Sequence, residues 1–210
     1  IKDNTKARVF PQAAEKIYPT YNNLTANIRN EINLGSNSWF EWLPQETIIY
    51  DNAKLNRSLA LNAKTNTEAL LGEIVVLGRV ASGERPNDIF LKDKIEINSN
   101  NKLRWMDTIL LNNNLRTAGN SLARLNNCNC FFTIIFLTSN PEDDLDALNN
   151  MIEEKAPHDY LSITCVNGVI IIRGVYTNPL NLRKKFAEIW MKIRNNLRGL
   201  INEMPKLWWI

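Results

Sequence analysis

A chain of 210 residues, 44% of them hydrophobic, is long enough to bury one sizeable core or two small ones and too apolar to stay disordered. Its 25 basic and 22 acidic residues leave a net charge of only +3, and the densest basic run is Arg183-Lys184-Lys185, which argues against nucleic-acid binding. The three cysteines, Cys128, Cys130 and Cys165, are odd in number and lack the spacing of a disulfide framework, so a cytoplasmic setting is expected; the longest apolar run, residues 131–137, suits a buried strand and not a membrane span.

The chain opens on Ile1 with no apolar signal core in its first eight residues, and reads as lacking its natural start. Residues 6–10 form a short strand that leads into a polar bend at 11–20. Residues 27–34 alternate, with Ile28, Ile32 and Leu34 on one side, and Gly35-Ser36-Asn37 then turns the chain back, which predicts a hairpin arm. Pro44 suits only a strand edge or bend, so residues 38–43 and 46–50 read as two strands broken at a corner, with Asn52 and Ala53 closing the next turn.

Leu55, Arg57, Leu59, Leu61 and Ala63 share one face of a half-buried strand. Residues 69–80 are apolar for most of their length, interrupted by Gly72, Glu73 and Gly78, the pattern of an interior strand. Residues 89–97 and 102–111 form a strand pair, and 130–138 a central strand. At Asn140 the pattern changes: Asn140 as N-cap, Pro141 at the first helical position and three acids in the first turn start a helix that ends near Ala156-Pro157.

Asn167-Gly168 joins two strands, residues 161–166 and 169–176, as a hairpin. A second start at Asn178-Pro179 opens an amphipathic helix reaching Gly199, with Phe186, Ile189, Trp190 and Ile193 opposite Arg183, Lys184, Lys192 and Arg194. The expected fold is mainly β with two C-terminal helices: a β-rich region at 1–139 and a β-α-β-β-α region at 140–210 packed on the same body, without an internal repeat.

Several segments, in this order and spacing, resemble the urease accessory protein UreD family, also called UreH. They are Ala13-Ala14-Glu15-Lys16-Ile17-Tyr18, Glu41-Trp42-Leu43-Pro44-Gln45-Glu46-Thr47-Ile48, Leu77-Gly78-Arg79 followed by Gly83-Glu84, the strand ending Trp105-Met106-Asp107, and Pro205-Lys206-Leu207-Trp208. The chain departs from the family at Pro19-Thr20, at Asn52 and at Glu73, and begins after the strands with which members usually open. The resemblance implies stacked β-sheets and a non-enzymatic scaffold that binds the urease apoprotein and UreF, with UreG reached through UreF, a homodimer within that assembly, and nickel in transit without a stably bound cofactor.

Glu73, buried in an apolar strand, is costly as an isolated anion. It either lines a polar passage for the cation or pairs with Arg79 or Lys16; Asp107 carries the same two readings, and Glu84, the third acid of the passage, also suits a turn. The family-motif residues are Lys16, Tyr18, Trp42, Pro44, Gln45, Glu46, Gly78, Arg79 and Gly83, of which Tyr18 and Trp42 are expected in the core. Cys128-Asn129-Cys130 lacks a second ligand pair and reads as packing more than as a metal site. With His158 as the single histidine, a catalytic triad or histidine-rich site is disfavoured. The competing enzymatic reading is a hydrolase using two of Glu46, Asp51, Glu73 and Asp107 as an acid/base pair in an open cleft.

Overall fold

Apolar runs that alternate with a period of two, punctuated by asparagine-rich corners, wind this chain into stacked sheets. The structure, a computed structural model, describes residues 1–112, 124–152 and 160–209. The strands are β1 (Lys6–Val9), β2 (Glu15–Ile17), β3 (Ala26–Leu34), β4 (Trp39–Trp42), β5 (Thr47–Ile49), β6 (Lys54–Ala63), β7 (Glu68–Leu77), β8 (Phe90–Ser99), β9 (Lys102–Asn112), β10 (Cys130–Leu137), β11 (Tyr160–Val166) and β12 (Val169–Tyr176). The helices are α1 (Pro141–Met151) and α2 (Pro179–Lys192), the latter continuing into a π-turn at Ile193–Leu197.

An eight-stranded sheet runs β1-β4-β7-β10-β12-β11, with β2 and β5 attached beside β7. A four-stranded sheet, β3-β6-β8-β9, lies on one face of it. The helices cover the other, which makes three layers. Strand β10 is buried along its whole length because it serves both interfaces: Phe132, Ile134 and Phe136 pack toward Phe186 and Trp190, while Ile135 and Leu137 pack toward Leu61 and Ile97. That double burial is why its sequence is a continuous apolar run.

Strands β3 and β4 do not form a hairpin. β3 pairs in parallel with β6, and β4 pairs in parallel with β1 and β7 in the other sheet, so Gly35-Ser36-Asn37 passes the chain between layers. β6 and β8 are likewise parallel, which makes the first half a wound coil whose turns stack. The coil has a structural repeat that the strands themselves do not display. Asn4, Asn37 and Asn66 occupy successive turns of one corner in the left-handed conformation, at φ of 56, 54 and 55°, a region asparagine tolerates better than most residues. Asn37 Nδ2 donates to Asn4 Oδ1 and Asn66 Nδ2 to Asn37 Oδ1, each at 3.3 Å. Along the strands, Asn62 Nδ2 donates to Asn33 Oδ1 at 2.9 Å and Asn98 Nδ2 to Asn62 Oδ1 at 3.2 Å.

The β8–β9 and β11–β12 hairpins form as expected. The helix starts differ from each other. Asn178 Oδ1 accepts from the backbone N–H of Leu180 and Asn181, a true cap, whereas the Asn140 side chain makes no capping bond. In α1, the acid Asp144 turns inward to Arg198 and Thr138. That helix ends at Met151, where Ile152 turns to an extended conformation, short of the end expected near Ala156-Pro157; Ala156, Pro157 and His158 lie outside the described residues.

Arg194 departs from the polar face expected of it. The π-turn breaks the 3.6-residue period on which that face was drawn, and Arg194 is 6% exposed, paired with Glu41.

Candidate functional site

The parallel register of β6 and β8 sets Arg57 directly beside Asp93, both on the strand faces that carry Leu55, Leu59, Leu91 and Ile95. Those faces look across to β7, where Glu73 points between the sheets. The three side chains meet in a cavity of about 340 Å³, lined also by Glu15, Trp42, Pro44, Gln45 and Thr47. Gly72 lines it beside Glu73; a Cβ there would come within 2.5 Å of Phe186 and 2.7 Å of Pro44, so the close approach of α2 and the Pro44 corner requires glycine.

Arg57 satisfies its guanidinium within the cavity. Nε donates to Asp93 Oδ2 at 2.9 Å, Nη1 donates to Thr47 Oγ1 at 2.8 Å and stands 3.8 Å from Glu15 Oε2. Nη2 donates to both Glu73 Oε1 and Asp93 Oδ2. Burial acts to lower the arginine pKa, but Glu73 and Asp93 outweigh it and hold the guanidinium charged.

Glu73 is 6% exposed. Burial pushes its carboxyl well above the usual range, against the pull of Arg57 and with the push of Asp93. Asp93 is 3% exposed, and its Oδ1 has no hydrogen-bond partner among the described residues. The site is therefore a partly open chamber in which the acids Glu15, Glu73 and Asp93 surround one cation, Arg57.

The three acids read as a passage stand in three separate places. Glu73 lies in the cavity, and its partner is Arg57 rather than Arg79 or Lys16. Asp107, on β9, pairs with Arg173 of β12 and is about one-third exposed. Glu84 lies in the turn after β7 and accepts from Arg79, at 3.0 Å from Nε and 2.8 Å from the backbone N–H. Among the described residues, no group of three or more His, Cys, Asp or Glu side chains is placed to hold a metal ion. Nor do the proposed hydrolase acids form a pair: Glu46 pairs with Arg183 at 3.4 Å, and Asp51 Oδ1 accepts from the backbone N–H of Asn87 and Asp88.

The motif residues divide into two groups. One builds the cavity wall and its fastening. Half-buried Trp42 and Pro44 line the chamber, Gln45 Nε2 donates to the carbonyl of Leu207 at 3.1 Å, and the Pro44 carbonyl accepts from Trp208 Nε1. Trp208 is fully buried against Phe186 and under Arg183, so the corner and the C-terminal turn hold each other.

The second group is superficial. Tyr18 is 58% exposed, contrary to the expected core position, because β2 is a three-residue strand with only Ile17 turned inward. Its ring meets that of Tyr50 edge-on at 4.7 Å, and Arg79 lies over Tyr50 at 5.0 Å. Lys16 is exposed on the same short strand. Gly78 and Gly83 take positive φ of 80 and 74°, which shapes the turn that presents Arg79 and Glu84.

Arg57 and Asp93 escaped the sequence reading as functional residues, although both sit at apolar phases of alternating strands. Glu41 also escaped it: the buried carboxylate accepts from Trp39 Nε1 at 2.9 Å and Trp190 Nε1 at 3.1 Å, and pairs with Arg8 and Arg194. Cys128 and Cys130 are buried in the core and Cys165 is half-buried, none of them in a disulfide. No helix among the described residues is long and apolar enough to cross a membrane.

Residues 1–209 match the family model described as UreD urease accessory protein. A Urease accessory protein UreD of Magnetococcus marinus is 27% identical over 210 residues, covering 99% of this chain and 72% of its own length. One from Ruegeria pomeroyi is 26% identical over 210 residues, with 100% of this chain and 78% of the relative covered. One from a Chelativorans species is 30% identical over 181 residues, spanning 86% of this chain and 63% of the relative.

Proposed function

The chain belongs to the UreD family of urease accessory proteins, and from that premise we propose that it is a cytoplasmic, non-enzymatic scaffold of urease maturation. It binds the urease apoprotein and UreF, reaches UreG through UreF, and sits as one of two copies in that assembly. Nickel is cargo: it passes through the protein without a permanent site.

The observation that best supports a passage is the acidic chamber between the sheets, where Glu73 and Asp93 face one cation. Carboxylate oxygens are harder donors than nickel prefers, so two of them would accept the ion without retaining it. The surface cluster of exposed Tyr18 and Arg79 with half-buried Tyr50 and Glu84 is suited to partner contact, since tyrosine and arginine are favoured interface anchors.

Co-expression with tagged UreF and urease subunits tests the reading. The scaffold should co-purify with both, and Tyr18→Ala should weaken that capture while leaving the melting temperature nearly unchanged. A folded chain that captures neither partner overturns the proposal and leaves a β-rich binding domain of another kind.

A further inference from the structure

We propose that Arg57 is a tethered counter-cation that keeps a divalent-cation site closed, and that an ion entering the cavity takes over the position of its terminal nitrogen between Glu73 and Asp93. The inference deepens the cargo reading and rests on it for the identity of the ion. Its basis is the geometry around one atom. Glu73 Oε1, from β7, and Asp93 Oδ2, from β8, both accept from Arg57 Nη2, so two carboxyl oxygens on different sheets are aimed at a single point.

A guanidinium does not require that arrangement. Its planar fork is best matched by one carboxylate receiving two parallel N–H bonds from two nitrogens. Oxygens converging on one centre are instead how carboxylates coordinate a compact divalent ion. A second observation points the same way. Asp93 Oδ1 is enclosed, belongs to a residue lining the same cavity, and has no hydrogen-bond partner among the described residues, so a further donor atom waits beside the converging pair. The buried face thus carries one more acceptor than Arg57 engages.

The displaced side chain has somewhere to go. Glu15 Oε2 lies 3.8 Å from Nη1, and Glu15 is about half exposed, so it marks the open side of the chamber. Thr47 Oγ1 already accepts from Nη1 at 2.8 Å. A rotation that keeps Nη1 on Thr47 and Glu15 while withdrawing Nη2, and with it the Nε bond to Asp93, leaves the guanidinium charge opposite Glu15 and vacates the point between the two acids. In the closed state the same positive charge repels a free cation. The charged groups facing Arg57 are Glu15 from β2, Glu73 from β7 and Asp93 from β8, and each has a part in this exchange.

Equilibrium dialysis of the full chain against nickel alone tests it. Arg57→Met should bind one nickel ion at least about tenfold more tightly than the unmodified protein, and Arg57→Met with Asp93→Asn should lose that gain. Arg57→Lys retains a cation at the position and safeguards the fold; with only a point charge in place of the fork, it should show a smaller gain of severalfold. Circular dichroism accompanies each measurement. Arg57→Met and Arg57→Lys binding nickel no better than the unmodified chain would overturn the proposal, as would a gain that survives Asp93→Asn. Loss of partner capture by the unmodified chain would sink the scaffold reading, while the dialysis would still separate an Arg57 that bars the ion from one that does not.

Discussion

Glu41 of β4 and Arg194 of the π-turn after α2 form a buried ion pair across 153 residues of sequence. The indole N–H groups of Trp39 and Trp190 donate to the two oxygens of the same carboxylate. The pair joins the large sheet to the helical layer at a point where neither charge reaches water. Removing one partner strands the other in a low-dielectric setting, at a cost of about 3–5 kcal/mol. Glu41→Ala should therefore lower the free energy of unfolding in urea by about that amount. Arg8→Ala, which removes a partly exposed partner of the same acid, should cost about 1 kcal/mol or less.

Gly72 marks the closest approach of β7 to α2. An alanine methyl there would press on Phe186 and Pro44, and overpacking of this kind costs about 1–3 kcal/mol. Gly72→Ala should lower the midpoint of chemical denaturation accordingly. Combining it with Phe186→Leu should restore part of the loss, which would identify the aromatic ring as the source of the clash.

Glu68 on β7 ties the sheet to the C-terminal region through Arg198, at 2.7 Å from Nε and 2.9 Å from Nη2. Burial by itself would raise its pKa, but the bonds from Arg198 and from the Ser139 N–H and hydroxyl prevail and hold it below its ordinary value of 4.5. The unfolded chain therefore takes up this proton at a higher pH than the folded one does. The stabilisation is present above the ordinary value and is lost as pH falls through the depressed one. The stability difference between the unmodified protein and Glu68→Gln should shrink on acidification below the ordinary value of 4.5, as read from denaturant curves at a series of pH values. A difference that stays constant would contradict the assignment.

Asn66 holds a φ of 55° at a stacked corner. Glycine adopts that conformation freely, so Asn66→Gly should change stability by only a few tenths of a kcal/mol beyond the loss of one exposed side-chain hydrogen bond. A β-branched residue cannot, and Asn66→Val should cost about 1–2 kcal/mol. Thermal melts of the two variants side by side would separate backbone conformation from the side-chain ladder.

The strands were legible wherever one face is wet. The alternation of Leu55, Leu59, Leu61 and Ala63 placed β6 and even turned Arg57 inward, and the continuous apolar run placed β10. Pairing was not legible, because period-two alternation states which face is buried and says nothing of which strand lies alongside. A turn such as Gly35-Ser36-Asn37 reads as a hairpin until the parallel partners 29 residues away along the ladder are known. The recurring left-handed asparagines at positions 4, 37 and 66 carried that information.

The chamber was half legible for a related reason. Glu73 stands out as an acid inside an apolar segment, whereas Arg57 and Asp93 each look like one polar interruption on an otherwise amphipathic strand. Only the side-by-side register of β6 and β8 unites them. Tyr18 went astray because an aromatic ring in a motif suggests a core, while a three-residue strand at the periphery has little core to offer.

The asparagine ladders span 33, 29 and 36 residues from one rung to the next, yet the walls they border stay in step. Length variation is absorbed where the chain rounds a bend, and the flat courses between bends are indifferent to it. Such a coil tolerates spliced-in excursions of many sizes at its rims, whereas a single added residue within a course would turn its interior outward. Divergence in this architecture should therefore collect at the rims, leaving the lining to change one side chain at a time.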